Sequence, residues 1–155
     1  MSSKQTDILL GRGLGDLLFG MTREKVEEIM GKPDHQEIEE YDGARQDLWE
    51  YHAMRLNLTF DEAEDWRLVI LSVSSDEYSI RDQQLIGLDM DELMDELNIM
   101  HFEDLEVEDA SSEDQPNQKL ISSDHHAINF WLNDGILEEI QWSPKISDDN
   151  TIRWP

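Results

Sequence analysis

Cysteine is absent from the 155 residues, so the chain offers neither a disulfide framework nor thiol chemistry. Lysine and arginine are scarce: 12 stand against 37 aspartates and glutamates, a formal net charge of −25. Such a chain is repelled by nucleic acid and by anionic membranes, and is steered toward basic partners in a salt-sensitive way. No apolar run approaches the roughly 20 residues that a membrane helix needs. The segment Met1 to Asp7 is polar and lacks the basic-then-apolar plan of a secretory signal, which makes the cytoplasm the expected location. Five tryptophans and 38% hydrophobic residues, set in periodic segments, argue against disorder of the whole chain.

What is present is organised around Phe19 to Pro33. Thr22 can cap a helix by accepting from an orphan backbone N–H of the first turn. Met21 before the cap and Val26 inside it form a hydrophobic staple. Val26, Ile29 and Met30 make one apolar stripe, Gly31 suits a left-handed C-cap, and Pro33 cannot continue the helix. The plan recurs from Ile86 to Asn98. There Asp89 is the cap, Glu92 completes a capping box, Leu88 and Leu93 repeat the staple, and Asn98 stands in for Gly31. Two matched helix signals suggest a tandem repeat of one supersecondary unit.

Along the chain, Ile8-Leu9-Leu10 reads as a short strand. Gly11-Arg12-Gly13-Leu14-Gly15 fails as a dinucleotide fingerprint, because its third glycine falls one position early, and reads as a flexible entry. Residues 47–51 suggest a strand. Met54 to Asp61 is a clear one, with Met54, Leu56, Leu58 and Phe60 inward and Arg55, Asn57, Thr59 and Asp61 wet. Residues 62–65 form the connecting loop, and Arg67 to Ser74 returns with Val69, Leu71 and Val73 inward. Asp76 to Gln84 is a polar link. Residues 82–118 contain no lysine or arginine, and their end, 103–118, reads as a mobile acidic loop. Ile128 to Leu132 alternates again, Asn133-Asp134-Gly135 is a tight hairpin turn, and Ile136 to Trp142 returns. The expected fold class is α+β: a tandem α-β-β-β repeat whose antiparallel sheet carries both helices on one face. It forms a single domain, 1–155, of two similar units, 8–75 and 80–144, with a C-terminal tail, 145–155.

The Gly-Leu-Gly of residues 13–15, then Phe19-Gly20-Met21-Thr22, the helix and Gly31-Lys32-Pro33-Asp34 together resemble the opening of a small bacterial family of immunity proteins from polymorphic toxin systems. The same segment is similar to the helical opening of the SmpA/OmlA lipoprotein family, although this chain has no cysteine to carry a lipid. Doubling such a unit resembles the β-lactamase inhibitory protein, which presents a concave sheet to its enzyme. The motif spans residues 13–34, and the tandem order extends the resemblance over most of the chain. It implies an inhibitor fold and no particular toxin.

Catalytic chemistry finds little support. His35, His52, His101, His125 and His126 are scattered, and adjacent His125 and His126 on a strand would point to opposite faces, so no metal site is expected. Asp89-Met90-Asp91 and Asp61 to Asp65 lack the glycine and the twelfth-position glutamate of a calcium loop. No serine stands in a nucleophile elbow. The chain is therefore expected to be no enzyme and to need no cofactor. Alternation places Arg55, Asn57 and Thr59 of the first unit, and Asn129, Trp131, Glu139 and Gln141 of the second, on the wet face of the sheet. Trp131, a large aromatic among polar neighbours, is a hot-spot candidate unless the acidic loop covers it. Trp49, Trp66 and Trp142 read as core. The expected function is an immunity protein that occludes a basic, nucleic-acid-targeting toxin domain in a 1:1 complex, with no nucleic acid or membrane partner. Glu62, Glu64 and Asp65 would form its acidic rim. An acidic DNA mimic or adaptor that binds basic proteins by charge alone is the alternative, and an enzyme with an acidic lid is a third reading.

Overall fold

The computed structural model describes residues 5–155; Met1 to Lys4, part of the polar N-terminal segment, lie outside the described residues. The chain opens with three two-residue strands, β1 (Ile8–Leu9), β2 (Gly13–Leu14) and β3 (Leu17–Leu18), that form a small antiparallel meander. The glycine run is thus not a flexible entry. A Cβ on Gly13 would lie 1.9 Å from the Leu17 carbonyl oxygen, and the Gly13 carbonyl accepts from the buried Trp142 indole at 3.0 Å. Close backbone packing, rather than mobility, is what the glycine provides.

Helix α1 (Arg23–Met30) begins as its sequence predicts, with the Thr22 hydroxyl accepting from the Lys25 N–H at 3.2 Å. It ends at Gly31, φ +81°, whose N–H reaches the Glu27 carbonyl. Four strands follow: β4 (His35–Tyr41), β5 (Ala44–Tyr51), β6 (Leu56–Asp61) and, after a one-turn 3₁₀ segment at Glu62–Glu64, β7 (Arg67–Val73). Helix α2 (Met90–Ile99) carries both bonds of its capping box between Asp89 and Glu92. It runs past Asn98, the expected stop, because Met100 is buried against the core and prolongs the last turn; His101, φ +66°, then takes the left-handed position. Strands β8 (Glu106–Asp109), β9 (Gln118–Ser123), β10 (Ile128–Asn133) and β11 (Ile136–Trp142) follow, then a terminal hairpin of β12 (Lys145–Ile146) and β13 (Ile152–Arg153).

Strands β4 to β11 make one eight-stranded antiparallel sheet in the order β4-β5-β6-β7-β11-β10-β9-β8. Strand accounts for 43% of the chain and helix for 14%, so the fold is α+β with the sheet dominant. Each helix is followed by four strands, not the expected three. The segment 103–118, expected as a mobile loop, holds β8, which pairs with β9 from Glu106↔Ser122 to Asp109↔Lys119. Its four residues are all exposed, so both of its faces are charged or wet and no alternation marks it.

The two four-stranded meanders meet through their last strands, with Leu71 opposite Trp142, Ser72 opposite Gln141 and Val73 opposite Ile140. Matching details recur on either side of that seam. The β6–β7 pair shifts register at Thr59/Phe60, and the β10–β11 pair shifts at Trp131/Leu132. The first shift puts Leu68, rather than Val69, opposite Phe60. Gly20 donates to the Leu68 carbonyl and Leu68 to that of Met21, both at 2.9 Å; Gly87 donates to Leu137 and Leu137 to Leu88, at 2.8 and 2.9 Å.

One face of the sheet is the core. Trp49, Leu58, Leu71, Trp142 and Ile128 form a continuous cross-strand row on it. Val26 of α1 and Leu93 and Leu97 of α2, all 0% exposed, join the same apolar cluster, which places both helices on this face. The staple partners Met21 and Leu88 pack at its margin. The tail docks back: the Trp154 ring lies so close over Gly20 that a Cβ there would meet it at 2.9 Å, and Arg67 sits 5.3 Å from the centre of that ring.

Candidate functional site: the open face of the sheet

Among the described residues, neither α-helix lies on the opposite face. The residues between the core positions point to it, and one cross-strand row runs unbroken through all eight strands: His35, Glu50, Asn57, Ser72, Gln141, Asn129, Ser122 and Glu106. Every member is polar. The middle of the row is uncharged, with Asn57 exposed and Ser72, Gln141, Asn129 and Ser122 half-buried to buried, while glutamates stand toward both ends. Ser72, 8% exposed, lies at the centre, where β7 meets β11. A polar face with acids toward its edges is complementary in charge to cationic groups.

The next row on this face is Glu108, Leu120, Trp131 and Glu139. Trp131 stands directly opposite Glu139 across the β10–β11 pair, where neighbouring side chains interact. Its indole N–H donates to the Gln141 side-chain oxygen at 3.2 Å, and the Ser72 hydroxyl donates to Glu139 Oε2 at 2.5 Å. Trp131 and Glu139 are thus each held by a separate hydrogen bond; Trp131, Glu139 and Gln141 are all half-buried, with Asn129 opposite Gln141. Strand β8 lies beside β9 in the sheet, so it is not a lid over Trp131. Where the central strands meet the terminal hairpin, Ile70, Asn129, Gln141, Ser143 and Ile146 line an open cleft of about 410 Å³. Ile146 is 63% exposed there.

The remaining expected site residues are not all gathered here. Asn57 lies on the open face, in the central row. Arg55 does not belong to the strand: it closes the turn from His52 with φ +48°, and its carbonyl accepts from Ser74. Met54 is exposed in the same turn rather than inward. The alternating pattern ran into this turn without any glycine or proline to end it. Glu62, Glu64 and Asp65 lie at the far end of β6 from Arg55, whereas the β7–β11 register aligns Glu139 with the Arg55 end. Glu62 is engaged by Arg45 at 2.6 and 2.9 Å, and the pair holds the carboxyl of Glu62 below its ordinary value, chiefly through that hydrogen bond. Trp66, expected as core, is half-buried with φ +59°, and the Arg23 and Arg45 guanidinium groups lie 4.5 and 5.6 Å from the centre of its ring. Arg23 in turn donates to Asp47, which is fully buried and also accepts from Gln36. Sequence reading missed Ser72, Ser122 and Leu120 on the open face. The signal for Ser72 is the alternation of β7, in which Leu71 and Val73 face inward on either side of it; Ser122 and Leu120 lie on β9, a strand absent from the sequence reading.

A second polar cluster closes the β9–β10 turn. Ser123, 1% exposed, donates to Asp104 Oδ1 at 2.6 Å and lies 2.9 Å from His126 Nδ1, while the His125 N–H donates to Asp104 Oδ2 at 2.8 Å. These bonds, first of all that from Ser123, hold the Asp104 carboxyl below its ordinary value. Burial pushes the His126 imidazole below its usual value, and neighbouring His125 adds to this. Serine, histidine and aspartate are together, but not as a nucleophile system: the serine gives its proton to the aspartate and is shut off from solvent, so no base draws that proton from Oγ. The cluster ties a turn to the loop after α2. Among the described residues, no three His, Cys, Asp or Glu side chains are placed to hold a metal ion. No family model matches the sequence, no curated protein matches it, and no solved structure matches the fold.

Proposed function

We propose that this chain is an immunity-type inhibitor: it binds a basic toxin domain one to one through the open face of its sheet and neutralises it by occlusion, with no catalysis of its own. The observation that carries this reading is the open face itself. It is an eight-stranded polar surface with acids toward both edges and Trp131 held beside Glu139, on a chain of net charge −25. Aromatic anchors set in a polar surround are the usual source of affinity at protein interfaces, and charge supplies the encounter rate. The resemblance of residues 13–34 to immunity proteins points the same way and leaves the toxin open. A cytoplasmic location and a nucleic-acid-cleaving toxin belong to the same proposal.

The architecture proper to that reading is a tandem repeat. Its support is the paired detail around the seam: two capped helices on the core face, two meanders of four strands, two register shifts at matching places, and the Gly20/Leu68 and Gly87/Leu137 bonds. Doubling the unit across the β7–β11 seam makes one binding face wide enough for a protein. A standard interface needs about 800 Å² from each partner.

The test is co-expression with the toxin domain encoded beside it, followed by purification and measurement of stoichiometry. The expected result is a 1:1 complex that survives about 0.5 M salt, where the screening length falls to roughly 4 Å. Complete release by that salt, with binding to unrelated basic proteins at low salt, would favour the charge-only adaptor. That second reading draws on the acids at both sheet edges, Glu37 and Glu39 on β4 and Glu106 and Glu108 on β8. No complex with any neighbouring toxin would overturn the immunity reading.

A further inference from the structure

Three of the five tryptophans are half-buried rather than core: Trp66, Trp131 and Trp154. Two of them carry arginine on the ring. Arg23 and Arg45 flank Trp66, each tied to a carboxylate, Asp47 and Glu62, and Arg67 lies over Trp154. Trp131 is the exception. It stands opposite a carboxylate, Glu139, yet among the described residues no cation lies over its ring and none pairs with Glu139. The matching positions across β6–β7, on the other side of the seam, are Thr59 opposite Ile70, which offer neither ring nor charge.

We propose that Trp131 and Glu139 form a receptor for one arginine side chain of the basic partner, stacked on the indole and hydrogen-bonded to the carboxylate. The inference rests on the reading of the open face as the partner's docking surface, and deepens it by naming the contact and its side of the seam. Charge complementarity commits the site to a cation, and the ring beside the carboxylate commits it to arginine. A planar guanidinium stacks on indole while donating hydrogen bonds within its own plane, whereas an ammonium is a compact, strongly hydrated point charge. The site is prearranged. The Ser72 hydroxyl holds Oε2 of Glu139 and leaves Oε1 for the ligand, and the Gln141 side chain holds the indole N–H. Little side-chain freedom remains to be lost on binding, which favours affinity.

The partner being unidentified, the probes are N-acetyl-arginine amide, its lysine counterpart and its neutral isostere with citrulline. They are titrated into the full chain while the Trp131 indole N–H is followed by NMR. That proton is a suitable reporter because its acceptor, Gln141, lies within the site. Expected is a saturable shift with the arginine amide at millimolar concentration. The lysine amide should bind about threefold more weakly, and citrulline should give no saturable shift. Glu139→Gln, which keeps the size of the side chain, should abolish the arginine response. The pair Glu62→Gln with Glu64→Gln, at the far end of β6, should leave it unchanged. An equal response to lysine, a saturable response to citrulline, or arginine binding retained in Glu139→Gln would each overturn the proposal. The outcome separates from that of the function. Arginine capture with no toxin partner would fail only the immunity reading, and a toxin complex that leaves the Trp131 N–H unmoved would fail only the receptor.

Discussion

The two sides of the sheet seam use the same residue types for opposite ends. In the first, cations are paired within the chain: Arg23 with buried Asp47 and, at the surface, Arg45 with Glu62, and both lie over Trp66. In the second, residues 82–118 supply no cation at all, and Trp131 and Glu139 stand opposite each other on the open face, both half-buried. The helix entries differ likewise. Gly20 is covered by Trp154, whereas a Cβ at Gly87 would meet nothing within 4 Å. A buried charge is tolerable only when paired, so internal pairing is what a structural arginine looks like. A carboxylate and a ring side by side, neither with a cation among the described residues, is then the feature that sets the second side apart.

The comparison presumes that both sides belong to one folding body, and the largest expected effect tests this. Leu93→Ala, in α2, should cost about 2–5 kcal/mol, the range for truncating a fully buried leucine. Leu93 shares a single core with Trp49 and Phe60 of the first side. Denaturant unfolding, followed by tryptophan fluorescence and by far-ultraviolet dichroism, should therefore keep one coincident transition at a lower midpoint. A biphasic curve, with the first side outlasting the second, would make the halves separate units. A cost below about 0.5 kcal/mol would mean that α2 is not packed on the core face.

Next in size is the binding contrast between matching positions. Trp131→Ala should weaken the toxin complex by about a hundredfold, almost all of it in a faster dissociation rate, as for a central aromatic anchor. Thr59→Ala, at the corresponding place across the seam, should change affinity by less than about threefold, within the range of contacts that only exclude water. Equal effects from both would spread the epitope evenly over the face. No change in dissociation with Trp131→Ala would remove the open face from the interface and turn attention to the acidic helix and loop of residues 89–114.

Much of this contrast is legible in the sequence, and what is not follows one rule. Helix α1 and the start of α2 are written in caps: Thr22, Gly31, Asp89 and Glu92 act within a few residues of where they stand. The β10–β11 hairpin is written in Asn133-Asp134-Gly135, where Asp134 and Gly135 take positive φ as a tight turn demands. That Trp131, Glu139 and Gln141 share a face follows from alternation, but the pairing of Trp131 with Glu139 needs the register shift at Trp131/Leu132. What stays hidden is the edge strands and the seam. Strand β4, His-Gln-Glu-Ile-Glu-Glu-Tyr, and β8, Glu-Val-Glu-Asp, have little core to face, so their polarity matches that of a loop and keeps the edges from pairing with another sheet. Pairing between β7 and β11 joins residues far apart in sequence, and no local pattern encodes it. Arg55 and Met54 were misplaced for a related reason: the hydrophobic phase persisted into a turn that only tertiary contacts define.

A smaller effect is expected from the acids at the far end of β6. Neutralising Glu62, Glu64 and Asp65 together should slow association by about threefold at low salt and leave dissociation unchanged, because long-range charge acts on the encounter. The effect is held down by Glu62, which is already partnered by Arg45, so its removal also frees a cation. In surface-resonance kinetics, a large change in the dissociation rate would place these residues inside the epitope and erase the distinction between the two sides.

The smallest effect concerns a titrating joint of the second side, the β9–β10 turn. His126 packs at 4.5 Å from the Phe102 ring and near Ser123, Asp104, His125, Lys145 and Arg81, and burial, the first cause, lowers its pKa. The neutral form is therefore favoured in the folded chain. As pH falls through the unfolded value near 6.5, the unfolded chain gains a proton that the folded one refuses, so stability drops until the lower folded value is passed. Asp104 acts in the opposite region. Its lowered pKa gives stability that is complete above the unfolded value near 3.9 and is lost only as pH falls through the folded one. Between pH 7.5 and 5 the histidine contribution thus stands apart from the aspartate. Net charge complicates the raw curve, since protonating some of the 37 acids relieves self-repulsion and stabilises the fold as the pH drops. The informative quantity is the difference between the chain and its His126→Gln variant in melting temperature across that range. The gap should widen in favour of the variant as pH falls from 7.5 to 5, because the variant has no proton to refuse. A constant gap would mean that His126 titrates alike folded and unfolded, and that the β9–β10 joint is no more closed to water than the exposed turns of the first side.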